Sequence, residues 1–153
     1  MGRIRTLLVI AVAMCAIGAT VSATSASARK SPEARMMKRV NDYRRDHGLH
    51  RVRWAKSLRR SAKRYAWHMM RKGYFGHAKR IHASDRYRWL GEILEYQRGT
   101  EPNVKLAFRT WIRSDSHRAI ILDRRFNRAG AGRAWGHMKG HKSTVWVMHF
   151  GRP

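Results

Sequence analysis

Cysteine is nearly absent. The 153 residues contain one, Cys15, inside the apolar N-terminal stretch. Disulfides and a cysteine nucleophile are thereby excluded for the remainder of the chain, whose stability must come from an apolar core. Carboxylates are scarce too. Nine Asp and Glu face 34 Lys and Arg, giving a formal charge of +25. Such a single-signed surface adheres to polyanions: wall polymers, anionic lipid heads or released nucleic acid. The plain alternative is a charge that serves only solubility. There is also no apolar run of membrane-spanning length. The stretch Leu7 to Ile17 is too short to cross a bilayer comfortably. It follows Arg3 and Arg5 and precedes the small-x-small pattern Ala26-Ser27-Ala28, so residues 1–28 read as a cleaved signal peptide. Met14 before Cys15 argues against a lipid-attachment signal. Removing Arg3 and Arg5 leaves about +23 on a single mature domain, residues 29–153. No internal repeat, Ser-His-Asp pattern or recognised nucleic-acid reading motif is present.

What is present divides into helical and extended pieces. Ser31-Pro32-Glu33 is a helix start, with a capping hydroxyl, proline in the first turn and an acid at the positive end. Ala34, Met37, Val40, Asn41 and Arg44 follow helical spacing, and Gly48 ends it. Asn41 interrupts the inner stripe: either its amide holds a loop or it sits at the edge of the helix face. Trp54, Leu58, Ala62, Tyr65 and Met69 mark a second amphipathic helix, stopped by Gly73. Residues 73–90 are irregular. Leu90 to Tyr96 reads as a strand with Glu92 and Glu95 on opposite faces. Gly99-Thr100-Glu101-Pro102 is expected to open a third helix. Ala129–Trp135 and Thr144–Phe150 are expected as two strands joined by a hairpin loop over residues 136–143. Gly130 and Gly132 predict close approach of a neighbouring backbone.

The stretch from Trp111 to Leu122 carries the sharpest chemical signal. Ser114, Asp115 and Ser116 are capping types, placing His117 near the positive end of a short helix. That end disfavours imidazolium, so a mainly neutral ring is expected, able to bind a metal or accept a proton. The alternative is a histidine that merely closes a hydrogen-bonded turn. His77 and Glu92 are the other candidates for one site. Two imidazoles and a carboxylate can hold a divalent metal, or relay protons without one. Their separations match no compact metal motif. His137 and His141 flank a glycine-containing loop that does not fix ligand geometry. His149 shares a strand face with Val145 and Val147 and is expected to be a satisfied core or edge histidine.

The order of these residues resembles the CAP superfamily, the cysteine-rich secretory, antigen-five and pathogenesis-related proteins, in its bacterial cysteine-free branch. The resemblance is carried by Val40-Asn41 with Arg44, Gly48-Leu49, Trp54 and Leu58, Gly73-Tyr74-Phe75 with His77, and Gly91-Glu92. It continues through Trp111 with Ser114 and His117-Arg118, Gly130-Ala131-Gly132, and Val145-Trp146 closing with Phe150-Gly151. It implies an α+β fold, a three-layer α-β-α sandwich, with a cleft built on His77, Glu92 and His117. Asn41, Trp111, Ser114 and Arg118 would support that cleft. His77 and His117 would be the metal ligands, for zinc or another divalent ion. Two departures weaken the site: Ile93 stands where the family usually has Asn, and the second cleft acid has no clear equivalent.

Three functions follow. The first is a secreted or wall-associated monomer binding a metal ion or a small apolar ligand in its cleft and anionic cell-envelope polymers or lipids on its exterior. The second is a metal-assisted hydrolase or peptidase, with Glu92 as ligand or general base. The third is a non-specific binder of nucleic acid or other polyanions. The fold alone does not license catalysis.

Overall fold

A computed structural model describes residues 30–153; the expected signal peptide and Cys15 lie outside these residues. Four strands form one sheet in the order β1-β3-β4-β2, comprising β1 (Arg53–Trp54), β2 (Trp89–Arg98), β3 (Arg128–Met138) and β4 (His141–Arg152). β1 runs parallel to β3, and the other pairs are antiparallel. Helix α2 (Lys56–Lys72) covers one face, whereas α1 (Pro32–Asp46), α3 (Val104–Arg113) and α4 (Asp115–Leu122) cover the other. This is the α-β-α sandwich expected. No helix among the described residues is long and apolar enough to cross a membrane.

Strand alternation sorts the two cores. Trp146, Met148 and Phe150 of β4 join Ile93, Met36, Val40 and Trp111 under α1 and α3. Val145 and Val147 join Leu94, Ala62, Ala66 and Met69 under α2. The α2 layer sits unusually close to the sheet. A Cβ at Gly130 would overlap the backbone of Leu58 and Arg59, and one at Gly132 would overlap Ala62 and Lys63. The two glycines therefore do what their sequence context predicts, letting a helix backbone lie directly on β3.

Arg44 fastens the other side. Although it is 1% exposed, it meets no carboxylate directly. Its guanidinium donates to the carbonyls of His50, Ile121, Asp123 and Phe126, at 3.0, 2.6, 3.0 and 3.1 Å. One side chain thus ties α1 to the chain following it and to the end of α4. Asn41 takes the loop-holding role: its Nδ2 donates to the Val52 carbonyl and its Oδ1 accepts from the Val52 N–H.

Several boundaries differ from expectation. Trp54 lies on β1, before α2 begins. The third helix starts at Val104 rather than near Pro102, because Asn103 is its cap: Oδ1 accepts from the Leu106 N–H at 2.9 Å. The hairpin loop is far shorter than residues 136–143. Met138 pairs with His141, and the turn is Lys139-Gly140, both with positive φ, 52° and 76°. That is the backbone twist a two-residue hairpin requires, so the strands extend to meet it. Ser114 occupies the cap position of α4, but its side chain makes no capping bond; its Oγ lies 3.1 Å from Ser116 Oγ instead.

Candidate functional site

Glu92 is the centre of the site. It lies on the α2 face of β2, 7% exposed, and receives three donors on two oxygens. Oε1 accepts from His77 Nδ1 and from the Ala78 N–H, both at 2.9 Å. Oε2 accepts from His149 Nε2 at 2.8 Å. A carboxylate can only accept, so each ring nitrogen facing it carries a proton. Burial alone would raise the Glu92 pKa, but the bonds from His149, Ala78 and His77 outweigh it and hold the group below the usual glutamate range. Glu92 is therefore ionised at neutral pH.

His77 is fixed by that bond. With Nδ1–H on Glu92, its Nε2 is left bare on a side chain that is 62% exposed. His117, third residue of α4, approaches from the opposite side, and the two ring centroids are 6.4 Å apart. The His117 pKa is lowered, first by burial and then by the charge of a protonated His77. Its neutrality was expected from the helix end; the physical cause is desolvation. Its Nδ1 is buried and has no hydrogen-bond partner among the described residues.

The structure thus brings His77 against Glu92 and near His117, and adds His149, expected from the sequence to be a satisfied core or edge histidine. His149 is buried, but only half satisfied: Nε2 is on Glu92 and Nδ1 has no partner among the described residues. The signal that could have found it is the pairing of β2 with β4, in which Glu92 lies directly opposite His149. Glu95 is on the other face, as alternation requires, where burial pushes its pKa up to about 7. It contributes nothing to the cleft. His137 and His141 are exposed at the far hairpin.

The expected supporting residues act on the scaffold. Trp111 is fully buried and donates from Nε1 to the Leu94 carbonyl at 2.9 Å, which anchors α3 to β2. Arg118 donates to the Ile112 carbonyl and to Asp115, closing the turn between α3 and α4 and so setting the approach of His117. Asn41 is remote from the site and holds Val52.

A divalent metal fits this donor set in part. Imidazole nitrogens are suitable donors when deprotonated, and the Glu92 bond at Nδ1 leaves Nε2 as the His77 atom available to an ion. Two rings on one zinc ion have centres roughly 5–6 Å apart, given bonds of about 2 Å, so 6.4 Å is a small side-chain adjustment away. Glu92 is not arranged as a third ligand, since it is engaged behind His77. Among the described residues no group of three His, Cys, Asp or Glu is placed to hold an ion.

One concave region adjoins the site and another lies apart from it. A cleft of about 670 Å³ runs between α2 and the 74–82 loop, with His77 on its wall and His149 among its lining residues. A separate open groove of about 1290 Å³ lies at the β1 edge. Its lining includes Arg51, Arg53, Arg124, Arg128 and Arg152, and no carboxylate.

Comparison with known proteins agrees with this architecture. The model of the cysteine-rich secretory protein family, CAP, matches residues 37–150. Among solved structures, an outer surface protein from Borrelia burgdorferi is similar with a TM-score of 0.66 at 17% identity, covering 80% of this chain and 93% of that one. An extracellular protein containing an SCP domain from Bacillus anthracis gives 0.64 at 19% identity, covering 80% and 40%. A cysteine-rich secretory protein from Staphylococcus aureus gives 0.56 at 13%, covering 80% and 38%. At these identities the likeness to solved structures is one of fold. No curated protein matches the sequence.

Proposed function

This chain belongs to the cysteine-rich secretory protein family, and from that premise we propose that it is an exported binding domain. Its His77–His117 pair carries a divalent ion or small ligand, and its basic exterior holds it to anionic cell-envelope polymers or lipids. One observation carries the first half: the 2.9 Å bond from His77 Nδ1 to Glu92, which turns Nε2 outward beside His117. A carboxylate behind a ligating imidazole fixes its tautomer and raises its basicity. His77 and His117 would hold the ion, and Glu92 would act through His77. The ion, when bound, supplies a positive centre for an anionic or carbonyl-bearing ligand.

Glu92 also favours binding over hydrolysis. A general base needs a free lone pair near its proton and a pKa near the working pH. Here three donors occupy the carboxylate and lower its pKa. The second half of the reading rests on the acid-free arginine groove, because arginine forks suit phosphate and carboxylate oxygens.

Calorimetric titration with zinc tests the cleft, using His117→Ala as control. Binding that disappears in the variant supports the reading, whereas no measurable affinity in the unaltered protein overturns it. Co-sedimentation with anionic vesicles or wall material at low salt tests the exterior. Replacing Arg124, Arg128 and Arg152 together by Ala is expected to weaken retention and its salt dependence. Unchanged retention would overturn this half.

A further inference from the structure

The cleft beside the imidazole pair has a chemistry of its own. One wall is α2, with Arg64, Tyr65 and His68; the other is the loop carrying Tyr74, Lys79 and Arg80. The aromatic rings form a continuous side. The Tyr65 and His68 rings stack at 6.1 Å between centroids, and Tyr74 meets His68 edge-on at 5.7 Å. Among the described residues no carboxylate lines the cleft. Lys79 and Arg80 are exposed and form no ion pair among the described residues. Arg64 reaches only the His82 carbonyl, at 2.9 Å.

His149 supplies the second, independent feature. It lines the cleft yet is only 1% exposed, and its Nδ1 has no partner among the described residues. When the ring carries its single proton on Nε2, donated to Glu92, Nδ1 is a bare acceptor. A buried acceptor left unpaired is costly, and a ligand that donates to it recovers that cost. Glu92 fixes the tautomer, so the acceptor is pre-organised before any ligand arrives.

A ligand for such a cleft needs a hydroxyl donor, a face that packs on aromatic rings, and an anionic group. We propose that the cleft binds an acidic sugar unit, a polyhydroxy ring bearing phosphate or carboxylate, with a ring hydroxyl on His149 Nδ1 and the anion on Arg64, Lys79 and Arg80. A volume of about 670 Å³ is ample for one or two such units. The inference does not depend on metal at His77 and His117, and the two are separable by mutation.

The test uses glucose 6-phosphate as probe, with glucose, inorganic phosphate and glucuronate alongside. Affinity is measured by calorimetry and the histidine ring nitrogens are followed by long-range ¹H–¹⁵N spectra. Glucose 6-phosphate is expected to bind more tightly than phosphate alone and to move the His149 Nδ1 resonance. His149→Gln keeps an N–H for Glu92 but takes the acceptor away from the Nδ1 position, and should weaken binding by about tenfold or more. Lys79→Ala with Arg80→Ala, both at exposed positions, should weaken it similarly. His117→Ala should leave sugar binding unchanged while abolishing zinc binding. A glucuronate affinity equal to that of the phosphate probe assigns the anion subsite to either acid; a much weaker one assigns it to phosphorylated sugars. Phosphate alone binding as tightly as glucose 6-phosphate, an unmoved His149 resonance, or no binding of any probe below about 10 mM would overturn the proposal.

Discussion

Glu92 on β2 and His149 on β4 are direct cross-strand partners, and their side chains meet at 2.8 Å on the face that α2 covers. The same carboxylate holds His77 at 2.9 Å. One buried charge therefore sets the orientation of two imidazoles that lie 72 positions apart in the chain.

Replacing that charge is expected to be expensive. Glu92→Gln preserves volume but turns one acceptor into a donor facing two ring N–H groups and an amide. Destabilisation of roughly 2–4 kcal/mol is expected at neutral pH by urea unfolding. Because the folded pKa of Glu92 is depressed, its contribution is present above the unfolded carboxylate pKa and disappears as pH falls through the folded value. The gap between variant and parent should therefore close in acid.

Glu95, three residues on, works in the opposite direction. Burial raises its pKa to about 7, so the folded state binds a proton that the unfolded state has lost. Stability should fall as pH rises from about 4.3 to about 7 and then level off. Glu95→Gln removes that slope. The variant is expected to be more stable than the parent at pH 8, by up to about 3 kcal/mol, and nearly equal at pH 4. Paired denaturation curves at the two values check this.

Arg44→Lys keeps the charge and loses the fork. One ammonium cannot replace three guanidinium nitrogens spread over four carbonyls, so buried acceptors are left unpaired. A loss of roughly 3 kcal/mol is expected in thermal or chemical unfolding.

Gly132→Ala drives a Cβ into the backbone of Ala62 and Lys63 and should cost about 3 kcal/mol or prevent folding. Gly136→Ala on the same strand meets only the Met70 side chain, Sδ at 3.4 Å and Cγ at 3.6 Å. It should be nearly silent in the same assay, because a thioether side chain can yield where a helix backbone cannot.

These residues also mark what could be read before folding. Local chemistry was legible. Ser31 caps α1 by accepting from the Ala34 N–H, Gly73 ends α2 with φ of 67°, and the two glycines of β3 announce the close helix. The family resemblance implied His77, Glu92 and His117 in one cleft; in the structure His77 bonds Glu92, and its ring centroid lies 6.4 Å from that of His117. What escaped was pairwise information. The role of His149 exists only through the register of β2 on β4, and alternation alone cannot distinguish a filled core position from a half-bonded one. The hairpin turn was missed for a related reason: Lys139 adopts a positive φ because strand pairing requires it, against the preference of its own side chain.

The central claim is that Glu92 holds both neighbouring imidazoles by one nitrogen each and leaves His77 Nε2 open beside His117. Long-range ¹H–¹⁵N spectra of the histidine rings, recorded during a zinc titration, measure this directly. His77 is expected to carry a proton on Nδ1 and His149 on Nε2 before addition, followed by joint shifts of His77 and His117 while the Glu92-bonded nitrogen of His149 stays in place. Rings free to exchange tautomers, or shifts confined to His137 and His141, would contradict it.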